Sequence, residues 1–312
     1  MLIYTDKVRL NLVKMTKITI IGSSNTDMVI KSGHLPAPGE TVLGGDFFMN
    51  PGGKGANQAV AAARLGGEVH FVCKVGKDVF GETALQQFKQ DGINTQFVTQ
   101  DPLAPSGVAL INVDAKGENC ITVASGANNC LSKGDIDAAS EIFEAGDFVL
   151  TQLETPLETV VYAAKIAAKK GLKVVLNPAP AAELPAELFA HLYAITPNET
   201  EAEFLTGIPV NDLLSAEKAA NILLHKGVQH VIITLGAEGA LYKTSYETEH
   251  IPVAKVEAKD TTAAGDCFNG ALVVGLSEGM SWTEAITFAC KAASISVTRL
   301  GAQASMPRLE EL

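Results

Sequence analysis

The stretch Asp260–Asp266 carries the residue types that a phosphoryl-transfer site needs. Small residues fill three consecutive positions, Ala263, Ala264 and Gly265, so backbone N–H groups can converge on one point at the start of a helix. Such a point favours an anion, because unpaired donors and the positive end of the helix dipole meet there. Asp266 would lie beside the anion as a carboxylate able to accept a proton. The alternative is an acidic helix N-cap after a small-residue turn.

A second group of polar residues follows a short apolar strand that we predict at Ile18–Ile21. The segment Gly22–Asp27 comes directly after it, at the edge of a sheet where open α/β folds bind ligands. Asn25 and Asp27 could hold the hydroxyl groups of a sugar there. The alternative is a solvated Asx turn.

The segment Pro51–Asn57 is rich in glycine and precedes a helix predicted over residues 58–65. Its glycines permit close approach of the backbone to a ligand, while Lys54 and Asn57 supply hydrogen-bond donors. It is not a P-loop, because Lys54 is followed by glycine rather than by Ser or Thr, and no dinucleotide-binding fingerprint follows a strand. The alternative is a glycine turn that only begins a helix.

Apolar strands alternate with amphipathic helices after Gly126, and this pattern predicts a central, mostly parallel sheet with helices on both faces. Polar residues again follow strand ends at Glu154, at Asn198 with Glu201, and in the turn 236–239. A further strand-like segment ends near Glu257, and a helical pattern with apolar positions at Phe268, Leu272 and 275–276 follows Asp266. The predicted strands are 148–153, 173–176, 194–196 and 230–235, and the predicted helices are 157–170, 199–206 and 216–226.

Two segments with short strand-like patterns and no neighbouring helix, at about 26–50 and 105–125, predict a small antiparallel sheet that stands off the main body. A sheet with one apolar face and no helix over it must cover a ligand, a partner subunit, or both. We therefore expect a β lid. The same sheet could instead serve only as a dimer interface.

Composition describes an ordinary globular protein, with 47% hydrophobic and 19% charged residues in a chain of 312 residues. A net charge of −11 argues against nucleic acid or an anionic membrane surface as the main partner. Residues 1–14 lack the apolar run of a signal peptide or membrane span, so we interpret them as an N-terminal extension without function and residues 15–312 as the folded domain. The five cysteines show no metal-ligand or disulfide spacing, which favours a reducing cytoplasm: Cys73, Cys120, Cys130, Cys267 and Cys290.

The pair of motifs Gly52–Asn57 and Asp260–Asp266 resembles the two signatures of the PfkB family of carbohydrate kinases. The resemblance runs in order from about Met15 to the C-terminus. It implies an ATP-dependent kinase that transfers the γ-phosphoryl group to the 5-hydroxyl of D-ribose in ribose catabolism. Further stretches resemble the ribose-phosphorylating members: Gly22–Asp27, Pro38–Thr41, Gln152–Glu154, Asn177–Pro180, Thr196–Glu201, Thr234–Gly236 and Val297–Gln303.

The resemblance also implies a role for individual residues. Asp266 would be the base, and the N–H groups from Ala263 through Ala264 and Gly265 to Asp266 would stabilise the transferring phosphoryl group. The implied sugar-binding residues are Asn25, Asp27, Gly53, Lys54, Gly55, Ala56, Asn57, Glu154 and Asp266. The implied ATP-binding residues are Asn198, Thr234, Leu235, Gly236, Ala237, Glu238, Gly239, Gly265, Asp266 and Cys290.

Cofactors and partners follow from the same resemblance. Mg²⁺ would accompany ATP, with Glu201 acting on it through water, and the partners would be ribose, ATP and a second copy of the chain bound through the β lid. A monovalent cation, usually K⁺, would be held mostly by backbone carbonyls of Asp260, Thr262, Ser296, Arg299, Gly301 and Ser305. The alternatives are a family member acting on another sugar or a nucleoside, and a sugar-binding or regulatory protein without turnover.

Overall fold

The computed structural model describes residues 16–144 and 147–312, so the predicted extension at residues 1–14 lies outside the described residues. The strands are β1 Lys17–Ile21, β2 Asn25–Lys31, β3 Phe47–Gly52, β4 Glu68–Gly76, β5 Asn94–Asp101, β6 Gly107–Val113, β7 Asn119–Ala124, β8 Phe148–Thr151, β9 Lys173–Leu176, β10 Ala194–Ile195, β11 His230–Thr234, β12 Ala240–Lys243 and β13 Thr248–Ile251. The helices are α1 Lys54–Arg64, α2 Val79–Gln90, α3 Lys133–Ala139, α4 Leu157–Lys169, α5 Ala186–Phe189, α6 Glu199–Thr206, α7 Leu213–His225, α8 Ala264–Ser277 and α9 Trp282–Ser296.

The main sheet has nine strands within this part of the chain, in the order β13-β12-β11-β10-β9-β8-β1-β4-β5. All its pairings are parallel except those of β12 with β11 and β13, which are antiparallel. The order reverses at β1, because β4 follows on one side of it and β8 on the other. A crevice outside the carboxyl ends of the strands is expected at such a reversal.

Helices cover both faces of the main sheet, as predicted. Ile18 and Ile20 of β1 point into one apolar core, which also contains buried residues of α1, α8 and α9. Ile21 points into a second core on the opposite face, together with buried residues of α4, α6 and α7. The side-chain alternation of a strand distributes continuous apolar runs between the two cores, which is why these strands are mostly apolar.

The smaller sheet has the order β3-β2-β6-β7. Its outer pairings, β2 with β3 and β6 with β7, are antiparallel, as predicted, and the central pairing of β2 with β6 is parallel. The parallel contact arises because β2 and β6 both leave the main body in the same direction, from Asn25 and Gly107, which are paired in register.

The largest errors in predicted boundaries concern the start of α1 and a strand expected to end near Glu257. Helix α1 begins at Lys54 rather than at residue 58, because Gly53 adopts a φ of 88° and forms the N-cap directly after the glycine turn. No strand ends near Glu257: β13 ends at Ile251, and Pro252, which has no N–H group, follows it. The helix after the Asp260–Asp266 stretch begins at Ala264, so Asp266 is its third residue and not its N-cap.

Among the described helices, none combines the length and the apolar character needed to cross a membrane.

Candidate active site

Three chain segments meet where β1, β8 and α1 come together. The Glu154 carboxylate, just after β8, accepts hydrogen bonds from the Ser23 hydroxyl (2.6 Å) and from the Lys54 backbone N–H (2.9 Å). The start of α1 packs against the loop after β1. This packing requires a glycine at position 55, because a Cβ there would lie 2.5 Å from the backbone nitrogen of Ser23. The two glycine-containing loops predicted from sequence are therefore packed backbone to backbone.

Asp266 is buried, and its carboxylate is held by two side-chain amides. Asn57 Nδ2 donates to Oδ2 at 2.9 Å, and Gln58 Nε2 donates to Oδ1 at 3.0 Å. Burial raises the pKa of Asp266, although Lys54 and the two amides act to lower it. A carboxylate with a raised pKa, fixed in position by donors, has the properties of a general base.

The residues that precede Asp266 present unpaired backbone donors. Ala263 adopts a φ of 59° and is the only non-glycine residue with a positive φ in the described part of the chain. Within the same residues, the N–H groups of Gly265 and Asp266 have no hydrogen-bond acceptor, whereas Ala264 N–H donates to Thr261 O. A strained residue that opens a helix with free donors is characteristic of an anion site.

Asp266 and this loop line a cavity of about 180 Å³, and Lys54 reaches it from the start of α1. Burial acts to lower the pKa of Lys54, but the carboxylates of Asp266, Glu154 and Glu201 outweigh it and raise the pKa. Lys54 is therefore a charged ammonium group in a cavity that otherwise carries carboxylates. The remaining lining residues are Asn177, Ala179, Thr196, Asn198, Glu201, Thr234, Thr261, Ala263, Ala264, Gly265 and Asn269.

Asp27 lies on β2 of the small sheet, and its carboxylate makes no hydrogen bond or ion pair with the described residues. Its side chain occupies the space beside Gly52, where a Cβ would come within 2.3 Å of a carboxylate oxygen. Burial, together with the charges of Glu154 and Asp266, raises the pKa of Asp27 to about 6. A buried carboxylate without a donor is poised to accept hydrogen bonds from a ligand.

The other predicted sugar-binding residues differ in how they are placed. Asn25 is buried, and its Oδ1 accepts from Asn128 Nδ2 at 2.7 Å, so Asn25 already has a partner within the protein. Ala56 is fully buried in the first core. Gly53 and Gly55 form the turn at the start of α1, and Asn57 contacts Asp266 directly.

Of the ten predicted ATP-binding residues, four line the cavity: Asn198, Thr234, Gly265 and Asp266. Asn198 forms the N-cap of α6 in a capping box with Glu201, whose Oε2 accepts the Asn198 N–H at 3.0 Å. Burial raises the pKa of Glu201. Thr234 ends β11 and lines the cavity, and the turn Gly236–Glu238 with Gly239 and the exposed Ala237 follows it.

Two of these predicted residues have their side chains elsewhere. Leu235 is buried in the second core. Cys290, on α9, is buried in the first core and is not a lining residue of the cavity. Burial raises the pKa of the Cys290 thiol to about 11, so the thiol is neutral.

The predicted cation-binding residues lie in two neighbouring loops that a carboxylate joins. Asp260 accepts the N–H groups of Thr262 and Gly301, each at 2.9 Å. The Arg299 guanidinium is paired with Glu311, so only its backbone carbonyl could serve as a ligand. The hydroxyl groups of Ser296 and Ser305 donate to nearby carbonyls. Of these six residues, five have a backbone carbonyl oxygen that accepts no hydrogen bond from the described residues: Asp260, Thr262, Arg299, Gly301 and Ser305.

Sequence reasoning assigned no role to several residues that support the site. Gln58 Nε2 donates to both Asp266 and Asn177, and Gln152 Nε2 donates to Gln58 Oε1. Asn269 Nδ2 donates to the Gly265 carbonyl at 2.8 Å and fixes the loop. Gln152 and Asn177 lie in motif stretches that the sequence did single out. Gln152 lies at the end of the predicted strand 148–153 and Asn177 directly follows the predicted strand 173–176, and this position was the available signal.

Comparisons with known proteins agree with this geometry. Residues 15–309 match the pfkB family of carbohydrate kinases. The chain is 48% identical to a ribokinase of Haemophilus influenzae over 94% of this chain and 96% of that protein, and 40% identical to a deoxyribokinase of Salmonella typhi over 94% and 96%. A solved structure of Arabidopsis thaliana ribokinase complexed with ribose and ATP has a TM-score of 0.87 and 30% identity, and the match covers 95% of this chain and 96% of that one.

Proposed function

The chain belongs to the pfkB family of carbohydrate kinases, and from this premise we propose that it transfers the γ-phosphoryl group of ATP to the 5-hydroxyl of D-ribose. The observation that carries the proposal is the buried Asp266 carboxylate beside free N–H groups at the start of α8. A base and an anion site in contact are what phosphoryl transfer to an alcohol requires.

In this reaction Asp266 accepts the proton of the sugar hydroxyl as the hydroxyl oxygen forms a bond to the γ-phosphorus. The bond between that phosphorus and the bridging oxygen breaks, and ADP leaves with the electron pair. The N–H groups of Gly265 and Asp266 stabilise the charge on the phosphoryl oxygens, and the Lys54 ammonium adds a positive charge from the opposite wall.

Sugar binding is proposed beside the cavity, where the small sheet joins the main body. Asp27, Glu154 and Asn57 supply acceptors and donors, which suits hydroxyl groups because each hydroxyl both donates and accepts. The backbone of Gly53 and Gly55 permits close approach of the sugar. ATP is proposed to lie against Asn198, Thr234 and the turn 236–239, with its phosphates at the start of α8.

The residues present fit the two cations that the family implies. Carboxylate oxygen and water suit Mg²⁺, and Glu201 has one carboxylate oxygen outside its capping bond while it lines the cavity. Free carbonyl oxygens suit K⁺, and the loops 260–262 and 299–301 supply four of them. When bound, Mg²⁺ would neutralise phosphate charge and K⁺ would orient the backbone dipoles of the 260–266 loop.

We propose further that residues 15–312 form one catalytic domain with the small sheet as its lid, and that two copies associate through that sheet. Closure of the lid over bound sugar would exclude water, which would otherwise accept the phosphoryl group. A cytoplasmic location is proposed because the five cysteines are free thiols.

The test is to incubate the protein with D-ribose and Mg·ATP, with and without K⁺, and to identify the product by phosphorus NMR and mass spectrometry. Formation of ribose 5-phosphate in amounts equal to ADP is expected. ADP release without a sugar phosphate would contradict the proposal. Sugar binding without any turnover would favour the binding or regulatory alternative.

A second substrate class is favoured by the 40% identity to a deoxyribokinase. The same Asp266 chemistry would serve 2-deoxyribose or a nucleoside. A panel of sugars and nucleosides, compared by kcat/KM, separates these possibilities: ribose is expected to rank first, and a larger kcat/KM for another acceptor would reassign the substrate.

A further inference from the structure

A row of three side-chain amides connects the surface of α2 to Asp266. Gln87 Nε2 donates to Gln303 Oε1 at 3.1 Å, and Gln303 Nε2 donates to Asn57 Oδ1 at 3.2 Å. Asn57 Nδ2 then donates to Asp266 Oδ2 at 2.9 Å. The inner members, Gln303 and Asn57, are buried, whereas Gln87 is half-buried and lines a surface cavity of about 330 Å³.

Every amide in the row turns its N–H side towards Asp266. Aligned amide dipoles strengthen one another in a buried chain, and their positive ends here stabilise the carboxylate. Asn57 could in principle rotate its amide by half a turn, which would place its oxygen against the Asp266 carboxylate. The donor of Gln303 opposes that rotation, because it requires an oxygen on the outer side of Asn57.

The second amide on Asp266 does not depend on this row. Gln58 donates to Asn177 Oδ1, and Asn177 Nδ2 donates to the backbone carbonyl of Thr196 at 3.2 Å. A backbone carbonyl can only accept, so it fixes the orientation of Asn177 and therefore of Gln58. The row through Asn57 has no such backbone anchor; its orientation depends on Gln303 and Gln87.

The backbone of Gln303 is held in place from a different direction. Arg64 Nη1 donates to the Gln303 carbonyl, and Arg64 is paired with Asp91 at 2.8 Å. Substitution of the Gln303 side chain therefore leaves intact the hydrogen bond that joins the backbone at Gln303 to Arg64 of α1.

We propose that Gln303 is a positioning residue for phosphoryl transfer: its amide fixes Asn57 in the orientation that donates to the base, and Gln87 fixes Gln303 in turn. This inference rests on the proposed function. The charged groups that face Asp266 are Lys54 from α1, Asp27 from β2, Glu154 after β8 and Glu201 from α6. None of them belongs to the row, so the row can be altered while they remain.

The sharpest test compares Gln87→Glu with Gln86→Glu. A carboxylate at position 87 only accepts, so Gln303 must turn its N–H outward, and Asn57 then turns its oxygen towards Asp266. The acidic limb of the kcat profile, measured at saturating ribose so that protonation of Asp27 in the free enzyme does not set it, is expected to move up by about 0.5–1 pH unit. Gln86 is exposed on the same helix and outside the row, so Gln86→Glu adds the same charge and should leave the limb in place.

Gln303→Met tests the inner link, because methionine fills the space but cannot donate. The same upward movement of the limb is expected, with a loss of kcat that is about 3–10-fold larger at the acidic end than at pH 8. An unmoved limb in Gln87→Glu, or movement of equal size in Gln86→Glu, would overturn the inference. If Gln303→Met fails to fold, the pair at positions 86 and 87 decides alone. Absence of ribose phosphorylation in the wild-type protein would instead contradict the proposed function.

Discussion

Two carboxylates of the proposed site, Asp266 and Asp27, are held in opposite ways. Asp266 accepts one amide donor on each oxygen, so its position is fixed before any ligand arrives. Asp27 has no donor among the described residues, and its pKa is raised to about 6 by burial and by neighbouring carboxylates. The first arrangement suits a base that must be aligned in advance, and the second suits a group that completes its hydrogen bonds with substrate.

Asp266→Asn should remove the group that accepts the proton, while the side chain keeps its size and shape. We expect kcat to fall by about 10²–10⁴-fold, with a much smaller change in the dissociation constant for ribose, because an amide can still hydrogen-bond to a hydroxyl. Steady-state kinetics and calorimetric titration with ribose measure the two quantities. Turnover near the wild-type rate would show that another group accepts the proton.

Asp27→Asn should change the stability of the fold and the affinity for ribose in opposite directions. The folded-state pKa of about 6 lies above the ordinary value of 3.8, so burial of the ionised group destabilises the fold as pH rises through that interval. At neutral pH the variant should therefore be more stable than wild type, by about 2–3 kcal/mol at most, and the difference should shrink towards pH 4.

Thermal unfolding at pH 7.5 and pH 4.5 checks the sign of this effect, and ribose titration checks its functional counterpart. In the wild-type protein, ribose should bind more weakly below about pH 6, where Asp27 is protonated. Asp27→Asn should bind ribose weakly at both pH values. A variant that is less stable than wild type at pH 7.5 would show that the carboxylate has a stabilising partner.

At the scale of elements, the sequence predicted which segments surround the site and was less accurate about where they begin. Periodicity located α4, α6 and the strands of the main sheet, because long apolar patterns report burial directly. The start of α1 was missed, because Gly53 and Gly55 were interpreted as loop residues when only the first lies outside the helix. Glycine marks a turn without saying on which side of it the helix starts.

The supporting amides could not be predicted from the sequence. Gln58, Gln152 and Gln303 are separated by long stretches of chain and come together only when α1, β8 and the C-terminal turn pack against each other. A lone glutamine in a sequence carries no signal of its partners. By contrast, Asp266 was predictable because small residues and an acid at a helix start are a local pattern.

Gly55→Ala should disrupt the junction of α1 with the loop after β1. The added Cβ would lie 2.5 Å from Ser23 N and 2.6 Å from the Gly22 carbonyl carbon, and backbone cannot yield cheaply. We expect a loss of about 1–3 kcal/mol in the free energy of unfolding and a rise in KM for ribose, because Ser23 and Lys54 together hold Glu154. Denaturant unfolding and kinetics measure these effects.

Gly134→Ala is the matched control. Gly134 lies in the first turn of α3, and the nearest neighbour of an added Cβ would be Ser132 Oγ at 3.6 Å. It should leave KM unchanged and keep or slightly raise stability, because alanine is the better helix former. Equal effects of the two substitutions would mean that the junction tolerates a side chain at position 55.

At the scale of the whole molecule, the small sheet has two faces with different surroundings. Residues directly opposite on paired strands point to the same side, so Asp27 shares one face with Ala109, which is buried. Met28 lies on the other face, together with its partners Met49 and Leu110. The first face carries Asp27 of the proposed sugar site, and the second is an apolar surface that the described chain leaves open.

The second face, which carries Met28, exposes several large apolar side chains next to one another. Phe47, Met49 and Leu110 are exposed by 60%, 53% and 51%. Contiguous apolar side chains of this kind on a sheet normally lie in an interface. Association of two copies through this face would bury these side chains and hold the lid strands over each sugar site, so dimerisation and catalysis should be linked.

Phe47→Asp tests this linkage, because a charge buried in an apolar interface costs several kcal/mol on association. Sedimentation should show a dimer for the wild-type protein and a monomer for the variant, with a higher KM for ribose in the monomer. Leu214→Asp is the control: Leu214 is 61% exposed on α7, which belongs to the main body, so its substitution should change neither mass nor KM. A wild-type monomer would exclude this face as a self-interface, and a monomeric variant with unchanged KM would separate assembly from closure of the lid.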